Sequence, residues 1–393
     1  MKRMNHREQV LAAIRGEVPD RIPWVPRLEF WYRARLRRGD MPADLRGLSL
    51  QQVADRLGVG YYATVLDFTE REEETDMLDH GLGILNHPML AYRVVLEGVQ
   101  RRVTRHGSET VTQYDTPVGS LRTVQVFTEE MLNSGASIPW TSEHAIRRRE
   151  DFDVAAYIFS HLRVEPRDGW ERRHRMVGDR GIAVAFVSGT ACPVHHIMKE
   201  LMPVEEFFLT QHDCPEAIDR LAEAMQSYYA AMQECALNTE AEVVLLGANY
   251  DDSITHARWF DQYILPALAD YAGKLHARGK YLMCHTDGEN RRLIPSYLRA
   301  GVDIGDSVCP APMTHLTLEE VRAAFGDRIT VWGGTPSVLL CPDSVGEQEF
   351  RRWIDRLVAR YTGATRLVLG ISDMVTADAS WDRLLYITEK INS

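Results

Sequence analysis

His285 and Asp287 stand two residues apart in the stretch Lys280-Tyr-Leu-Met-Cys-His-Thr-Asp-Gly288. The stretch opens with a short apolar run and closes on polar residues and a glycine, the pattern of a buried strand with a polar tip. Side chains two apart on a strand point to the same side, so the imidazole and the carboxylate share one face. Such a pair serves either as two ligands of a divalent metal or as an acid/base couple. Other apolar runs end in a similar way: Gly247-Ala-Asn249-Tyr250-Asp251-Asp252, Ser307-Val-Cys309-Pro310, Gly333-Gly-Thr335-Pro-Ser337 and Gly370-Ile-Ser372-Asp373-Met374. Asp favours turns for its own reasons, and Asp287 before Gly288 has that bland reading too. The recurrence of His, Asp and Cys at these tips makes a shared site the better reading of the group. Cys309 reads equally as a ligand or a buried thiol. Cys284 alternates away from His285, Cys341 reads as structural, and His195 and His196 read as core or surface residues near a helix start.

These tips need a scaffold that gathers them. Capping boxes, in which a Ser, Thr or Asn precedes a Glu or Gln by three residues, open helices at Asn5/Glu8, Ser49/Gln52, Thr317/Glu320 and Ser344/Glu347. Longer amphipathic patterns predict helices over 215–237, 259–277 and 291–299. Strand candidates begin near residues 22, 61, 182, 243, 281, 302, 329 and 366. Eight strands alternating with helices predict a (β/α)8 TIM barrel, with chemistry at the C-terminal ends of its strands. Between about 84 and 127 the rhythm changes to short alternating segments broken by Gly98 and Gly107, an antiparallel meander. The expected organisation is therefore one barrel over residues 1–393, with a β-rich lid or arm inserted over 80–180 in its N-terminal third. No Gly-x-Gly-x-x-Gly or phosphate loop is present.

The chain of 393 residues is 45% hydrophobic and 26% charged, with net charge −11. That balance argues against nucleic acid or an anionic membrane as partner, both of which need a basic surface. Arg33, Arg35, Arg37 and Arg38 read as a solvated helix face or a local anion-facing patch. No apolar run reaches the roughly 18–20 residues of a bilayer span. The six cysteines form no C-x-x-C pair, which fits a reducing cytoplasm. Trp140, Trp170 and Trp259, read as exposed, are candidates for a homodimer or partner contact.

The opening Arg7-Glu-Gln-Val-Leu-Ala-Ala-Ile-Arg-Gly-Glu-Val-Pro-Asp-Arg-Ile-Pro23, then Asn249-Tyr-Asp-Asp, His285-Thr-Asp-Gly, Gly301-Val-Asp303 and Leu369-Gly-Ile-Ser-Asp-Met374, resemble the uroporphyrinogen decarboxylase superfamily over nearly the whole chain. The resemblance implies a (β/α)8 barrel. Its decarboxylase branch grips substrate carboxylates with an Arg-rich motif, whereas this chain has Pro23-Trp-Val-Pro-Arg27-Leu-Glu-Phe-Trp31, where only Arg27 matches. Its zinc- and corrinoid-dependent methyltransferase branch carries His-x-Cys and a distant Cys. Here His285-x-Asp287 stands in that place and Asp373 falls near the distant Cys. Cys309-Pro-Ala-Pro-Met-Thr-His-Leu-Thr-Leu-Glu-Glu320 resembles members that act on methoxylated compounds. Carboxylates in place of thiolates leave zinc harder and more Lewis acidic, suited to polarising an ether oxygen.

The resemblance thus implies a methyltransferase moving a methyl group from a small, methoxylated donor to a corrinoid (cobalamin) on a partner protein, an O-demethylase component. His285, Asp287, Cys309 and Asp373 are its expected metal ligands. Asn249, Tyr250, Asp251 and Asp252 are its expected catalytic groups, with an acid among the last three protonating the leaving oxygen. The alternatives are a decarboxylase or lyase acting on a small carboxylic acid or tetrapyrrole, and a non-catalytic corrinoid-binding protein on a degenerate barrel.

Overall fold

In the computed structural model, which describes residues 3–393, the alternating apolar runs of the second half assemble into a parallel sheet. Its strands are β7 (Ala185–Ser188), β8 (Val243–Ala248), β9 (Tyr281–His285), β10 (Ile304–Val308), β11 (Thr330–Pro336) and β12 (Leu367–Ser372). Each pairs with the next in sequence, giving the order β12-β11-β10-β9-β8-β7. Every residue of β7, β8, β10, β11 and β12 is buried, because helices cover a parallel sheet and leave it no wet face.

Two further segments bridge the edges of this sheet. Leu369 donates its N–H to Pro23 O at 2.8 Å, and Val25 donates to Leu369 O at 2.8 Å. Gly60 donates to Trp24 O at 2.9 Å, and Tyr61 to Arg180 O at 2.7 Å. Val184 then donates to Ala63 O at 3.0 Å. The expected strands at 22 and 61 are thus extended segments tied by a few hydrogen bonds, and the regular parallel strands number six among the described residues. Prolines at 23 and 26 explain the first of these, since each removes a backbone donor from the ladder.

The meander forms β2 (Gln100–His106), β3 (Glu109–Thr116), β4 (Gly119–Val126) and β5 (Trp140–Glu143) in that order, while β1 (Tyr92–Leu96) pairs antiparallel with β6 (Leu162–Pro166). Tyr114, Leu121, Thr112 and Thr123 are buried on its inner face. The outer face of β2, Gln100, Arg102, Thr104 and His106, is exposed, while Arg101 on the inner side pairs with the buried Asp79.

Helices His6–Arg15, Leu50–Leu57 and Leu318–Phe325 start at the capping boxes read from sequence, each worth about 1 kcal/mol to its helix. The box at Ser344 does not form. That helix runs Glu347–Tyr361 from Gly346, and the Glu347 carboxylate instead accepts from Arg351 and Arg383. The single helix expected over 215–237 is two, Pro215–Ala224 and Gln226–Leu237. The helix expected over 259–277 carries a wider π turn at Phe260–Ile264, and the one expected over 291–299 runs Ile294–Ala300.

Of the three tryptophans read as exposed, Trp140 alone is, at 65%. Trp170 and Trp259 are buried, because each indole N–H has an internal acceptor, Ala183 O and Gln211 Oε1 respectively. The arginine run lies on helix Glu29–Arg38 and is paired residue by residue: Arg33 with Asp67, Arg35 with Asp40, Arg37 with Glu129 and Arg38 with Asp378. Among the described residues no helix is long and apolar enough to cross a membrane.

Candidate metal centre

β9 ends at His285, and the chain continues two residues to Asp287. The same-side placement expected from alternation leaves His285 Nε2 3.8 Å from an Asp287 oxygen. Asp373, just past β12, brings Oδ1 to 3.3 Å from the same nitrogen. Among the described residues, His285, Asp287 and Asp373 form the group of His, Cys, Asp and Glu side chains close enough to hold an ion, with ligand atoms all within 4.8 Å of one another. Two atoms each about 2 Å from a zinc ion lie roughly 3.3 Å apart in a tetrahedral site, the separation of His285 Nε2 and Asp373 Oδ1, and Asp287 closes on the same point with a small side-chain shift.

Each of the three is held by a further partner. His285 Nδ1 lies 2.7 Å from Asp306 Oδ2. The Asp373 carboxylate takes hydrogen bonds from Arg27 Nη1 at 3.1 Å and Ser307 Oγ at 3.0 Å. Asn249 Nδ2 donates to Asp287 at 3.4 Å. Asn249 and Ser307 both have left-handed backbone, φ 58° and 59°, a strain that non-glycine residues tolerate when the surroundings require it. The Arg27 guanidinium is buried and lies over the rings of Phe30 and Tyr62, 5.2 and 5.5 Å from their centroids.

The electrostatics follow from this crowding. Burial alone would raise the Asp373 carboxyl, but Arg27 and His285 outweigh it and hold it well below the usual carboxylate range. Burial raises the Asp287 carboxyl, with His285 opposing. Burial would lower His285, yet the surrounding acids Asp287, Asp306 and Asp373 push it well above the ordinary imidazole value. One fully buried and two half-buried acids thus surround His285, with a single guanidinium, Arg27, against Asp373. The missing positive charge is supplied by a protonated His285 or by a divalent cation. The donor set therefore fits zinc, with His285, Asp287 and Asp373 as the residues that would hold it.

Cys309, expected as a fourth ligand, stands outside this group. Its thiol donates to Ser307 O at the end of β10, and burial pushes its ionisation up. The expected catalytic run divides. Asn249 lines the cavity described next. Tyr250 is fully buried against His195, Phe260 and Tyr297, its hydroxyl unpartnered. Asp251 accepts from Ser253 N and Glu289 N, and Asp252 from Arg292 N. These two carboxylates tie the loop after β8 to the loop after β9, the ordinary work of Asp in loops. His195 and His196 are core residues: His195 packs on Tyr250, and His196 bridges Leu82 O and Tyr229.

His285 and Asp373 form one wall of a cavity of about 290 Å³. Its other walls are apolar, including Phe30, Phe68, Phe186, Leu245 and Met374, with a polar corner at Lys199, Glu200 and Asn249. Lys199 projects from a π turn, Ile197–Leu201, and its ammonium lies 3.4 Å from Gly189 O and 3.3 Å from Asn249 Oδ1. π turns recur at functional sites. Ile138, from the connection between β4 and β5, closes the cavity on the meander side. A larger cleft of about 910 Å³ lies outside, between residues 69–80 and the meander, and meets the cavity at His80. Among the described residues it gathers no comparable group of ligating side chains.

Sequence reasoning missed Asp306, Lys199 and Tyr62. Asp306 is an acid inside an apolar strand, one residue before the tip that was read. Lys199 is a lone charge in the apolar stretch Ile197-Met-Lys-Glu-Leu201, a helix-face anomaly visible in the sequence. Tyr62 carries no such mark.

No protein-family model and no curated protein matches the chain. Twenty-two chains of solved structures match. One is a methyltransferase from Methanosarcina mazei, 13% identical, with TM-score 0.50, covering 99% of this chain and 98% of its own. At that identity the likeness is one of fold, end to end.

Proposed function

We propose that the chain is a methyltransferase that removes a methyl group from a small donor at the His285–Asp287–Asp373 centre and hands it to a reduced corrinoid, carried by a partner protein. The observation that carries this reading is the cluster of three ligating side chains, two of which, His285 and Asp373, line a small, largely apolar cavity. The fold shared along its whole length with a methyltransferase supports it. The same reading takes the parallel sheet, with the segments at 23–25 and 60–63 as its seventh and eighth staves, as a (β/α)8 barrel of the uroporphyrinogen decarboxylase type spanning 1–393. The β-rich insertion of 80–180 then serves as its lid, and the protein works in the cytoplasm.

Bound zinc would supply Lewis acidity to the atom that loses the methyl group. The chain's own residues do the rest. Phe30, Phe68 and Phe186 hold the apolar body of the donor and exclude water. Lys199 replaces the acids expected at 250–252 as the group offering a hydrogen to the leaving atom, because it faces the cavity and they do not. Arg27 and Ser307 keep Asp373 ionised and oriented.

Methyl transfer to cob(I)alamin from a panel of methoxylated and methylamine donors tests this, with zinc content measured on the same samples. We expect about one zinc per chain and transfer from at least one donor, both lost in His285→Ala. A zinc-free protein that transfers nothing across the panel sinks the proposal. A second reading, decarboxylation of a small acid, is favoured by the Lys199 ammonium in the cavity. Carbon dioxide released without corrinoid would mark it. A tetrapyrrole is too large for about 290 Å³, which lies at the bottom of the roughly 300–1,000 Å³ range of ligand pockets.

A further inference from the structure

We propose that Asp306 is the positioning residue of this centre: it holds hydrogen on His285 Nδ1 and so fixes Nε2 as the nitrogen presented to Asp287, Asp373 and any cation between them. The inference rests on the metal-centre reading above and concerns how that centre is prepared.

Asp306 is fully buried in β10. It is the register partner of His285 in the parallel pairing of β10 with β9, which runs Ile304 to Met283, Gly305 to Cys284 and Asp306 to His285. The contact is therefore fixed by strand pairing and not by a loop. Three donors converge on a single oxygen, Oδ2: His285 Nδ1 at 2.7 Å, the Tyr62 hydroxyl at 3.0 Å and the Thr64 hydroxyl at 3.4 Å. Oδ1 is buried with no partner.

A carboxylate only accepts, so the imidazole nitrogen facing it must be the one bearing hydrogen. In a neutral imidazole the other nitrogen is then a lone pair. That nitrogen is the one 3.3 Å from Asp373 and 3.8 Å from Asp287. Carboxylate–histidine–metal chains work in this way, and loss of the outer partner typically weakens metal binding about 10–100-fold. Tyr62 and Thr64 come from the extended segment at 60–66. They hold Asp306 against rotation, which makes that segment part of the centre.

The test uses full-length protein labelled with ¹⁵N-histidine, His285 being assigned from the signal missing in His285→Gln. Nitrogen shifts are read without and with added zinc. Zinc affinity is read by competition with a chromogenic chelator for wild type, Asp306→Asn, Asp306→Ala and Tyr62→Phe, each checked by near-UV circular dichroism. In the wild type we expect a protonated Nδ1 with or without zinc, and a zinc-induced shift confined to Nε2. Asp306→Ala should mix the tautomers and lose about 10–100-fold in zinc affinity. Asp306→Asn, which keeps an acceptor for Nδ1–H but not the charge, should lose several-fold, and Tyr62→Phe less.

An unprotonated Nδ1 in the wild type overturns the proposal. So does wild-type zinc affinity with an unchanged Nδ1 signal in folded Asp306→Ala. If Asp306→Ala does not fold, Asp306→Asn decides, and wild-type affinity there overturns the proposal. If the wild type takes up no zinc, the metal-centre reading fails, while the zinc-free nitrogen spectra still show whether Asp306 holds the Nδ1 proton.

Discussion

At the scale of single residues, the centre is a balance of buried charges in which Arg27 counts for as much as any ligand. Its guanidinium is 9% exposed and Asp373 is 20% exposed, 3.1 Å apart. Removing one member of such a pair strands the other, at a cost of roughly 3–5 kcal/mol. Arg27→Met should therefore lower the melting temperature of the zinc-free protein sharply, and saturating zinc should recover part of the loss by taking over as counter-charge to Asp373. Equal destabilisation with and without zinc would argue against a cation between these acids. His285, Asp287 and Asp373 were legible in the sequence because strand alternation and strand-end polarity are local signals. Asp306 was not, because its role comes from the register of two strands. Tyr250, Asp251 and Asp252 looked catalytic by position, yet packing and loop geometry claim them first.

At the scale of elements, the loops after β8 and β9 are laced together, and the lacing sets where Asp287 sits. Asp252 N–H donates to Glu289 O, and its carboxylate accepts from Arg292 N at 2.9 Å. Asp252→Ala should cost about 0.5–1.5 kcal/mol as the half-buried bond from Arg292 N is lost, read as a lower denaturation midpoint, with zinc affinity modestly reduced and turnover at saturating zinc retained. A catalytic acid would give the reverse, intact stability with lost turnover. Gly288 lies where these loops touch, and a Cβ there would stand 2.3 Å from Tyr250 O. Gly288→Ala should force the loops apart and weaken zinc binding measurably, even where the fold survives. The capped helices were readable because caps are written in three or four residues. The π turns at Ile197–Leu201 and Phe260–Ile264 were not, because packing against neighbouring elements, rather than local spacing, decides an extra residue per turn.

At the scale of the whole molecule, several histidines are folded into the interior as neutral rings, which sets an acid limit on stability. His87 is held down to about 4 by burial. Its Nε2 donates to Asp67 O while Nδ1 accepts from Met89 N, so protonation breaks a bond. With an unfolded value near 6.5, the unfolded chain binds more protons between about pH 6.5 and 4, and stability rises with pH there. It should fall as pH drops from 6.5 toward 4, by up to about 3 kcal/mol from this residue. His87→Gln should lose less melting temperature than wild type between pH 7 and 5; equal losses would assign the acid limit elsewhere. The parallel sheet was legible from its run of βα units, while the two proline- and glycine-marked segments that bridge its edges are tied by only a few hydrogen bonds. Those bridges have a consequence for how the chain is made. Residues 23–25 meet Leu369 across almost the full length of the sequence, so a nascent chain emerging from the ribosome carries an unpaired sheet edge until its last strand arrives. Long-range closure of this kind is slow and leaves edges open to other chains. Synthesis truncated before β12 should yield aggregates instead of a smaller folded protein.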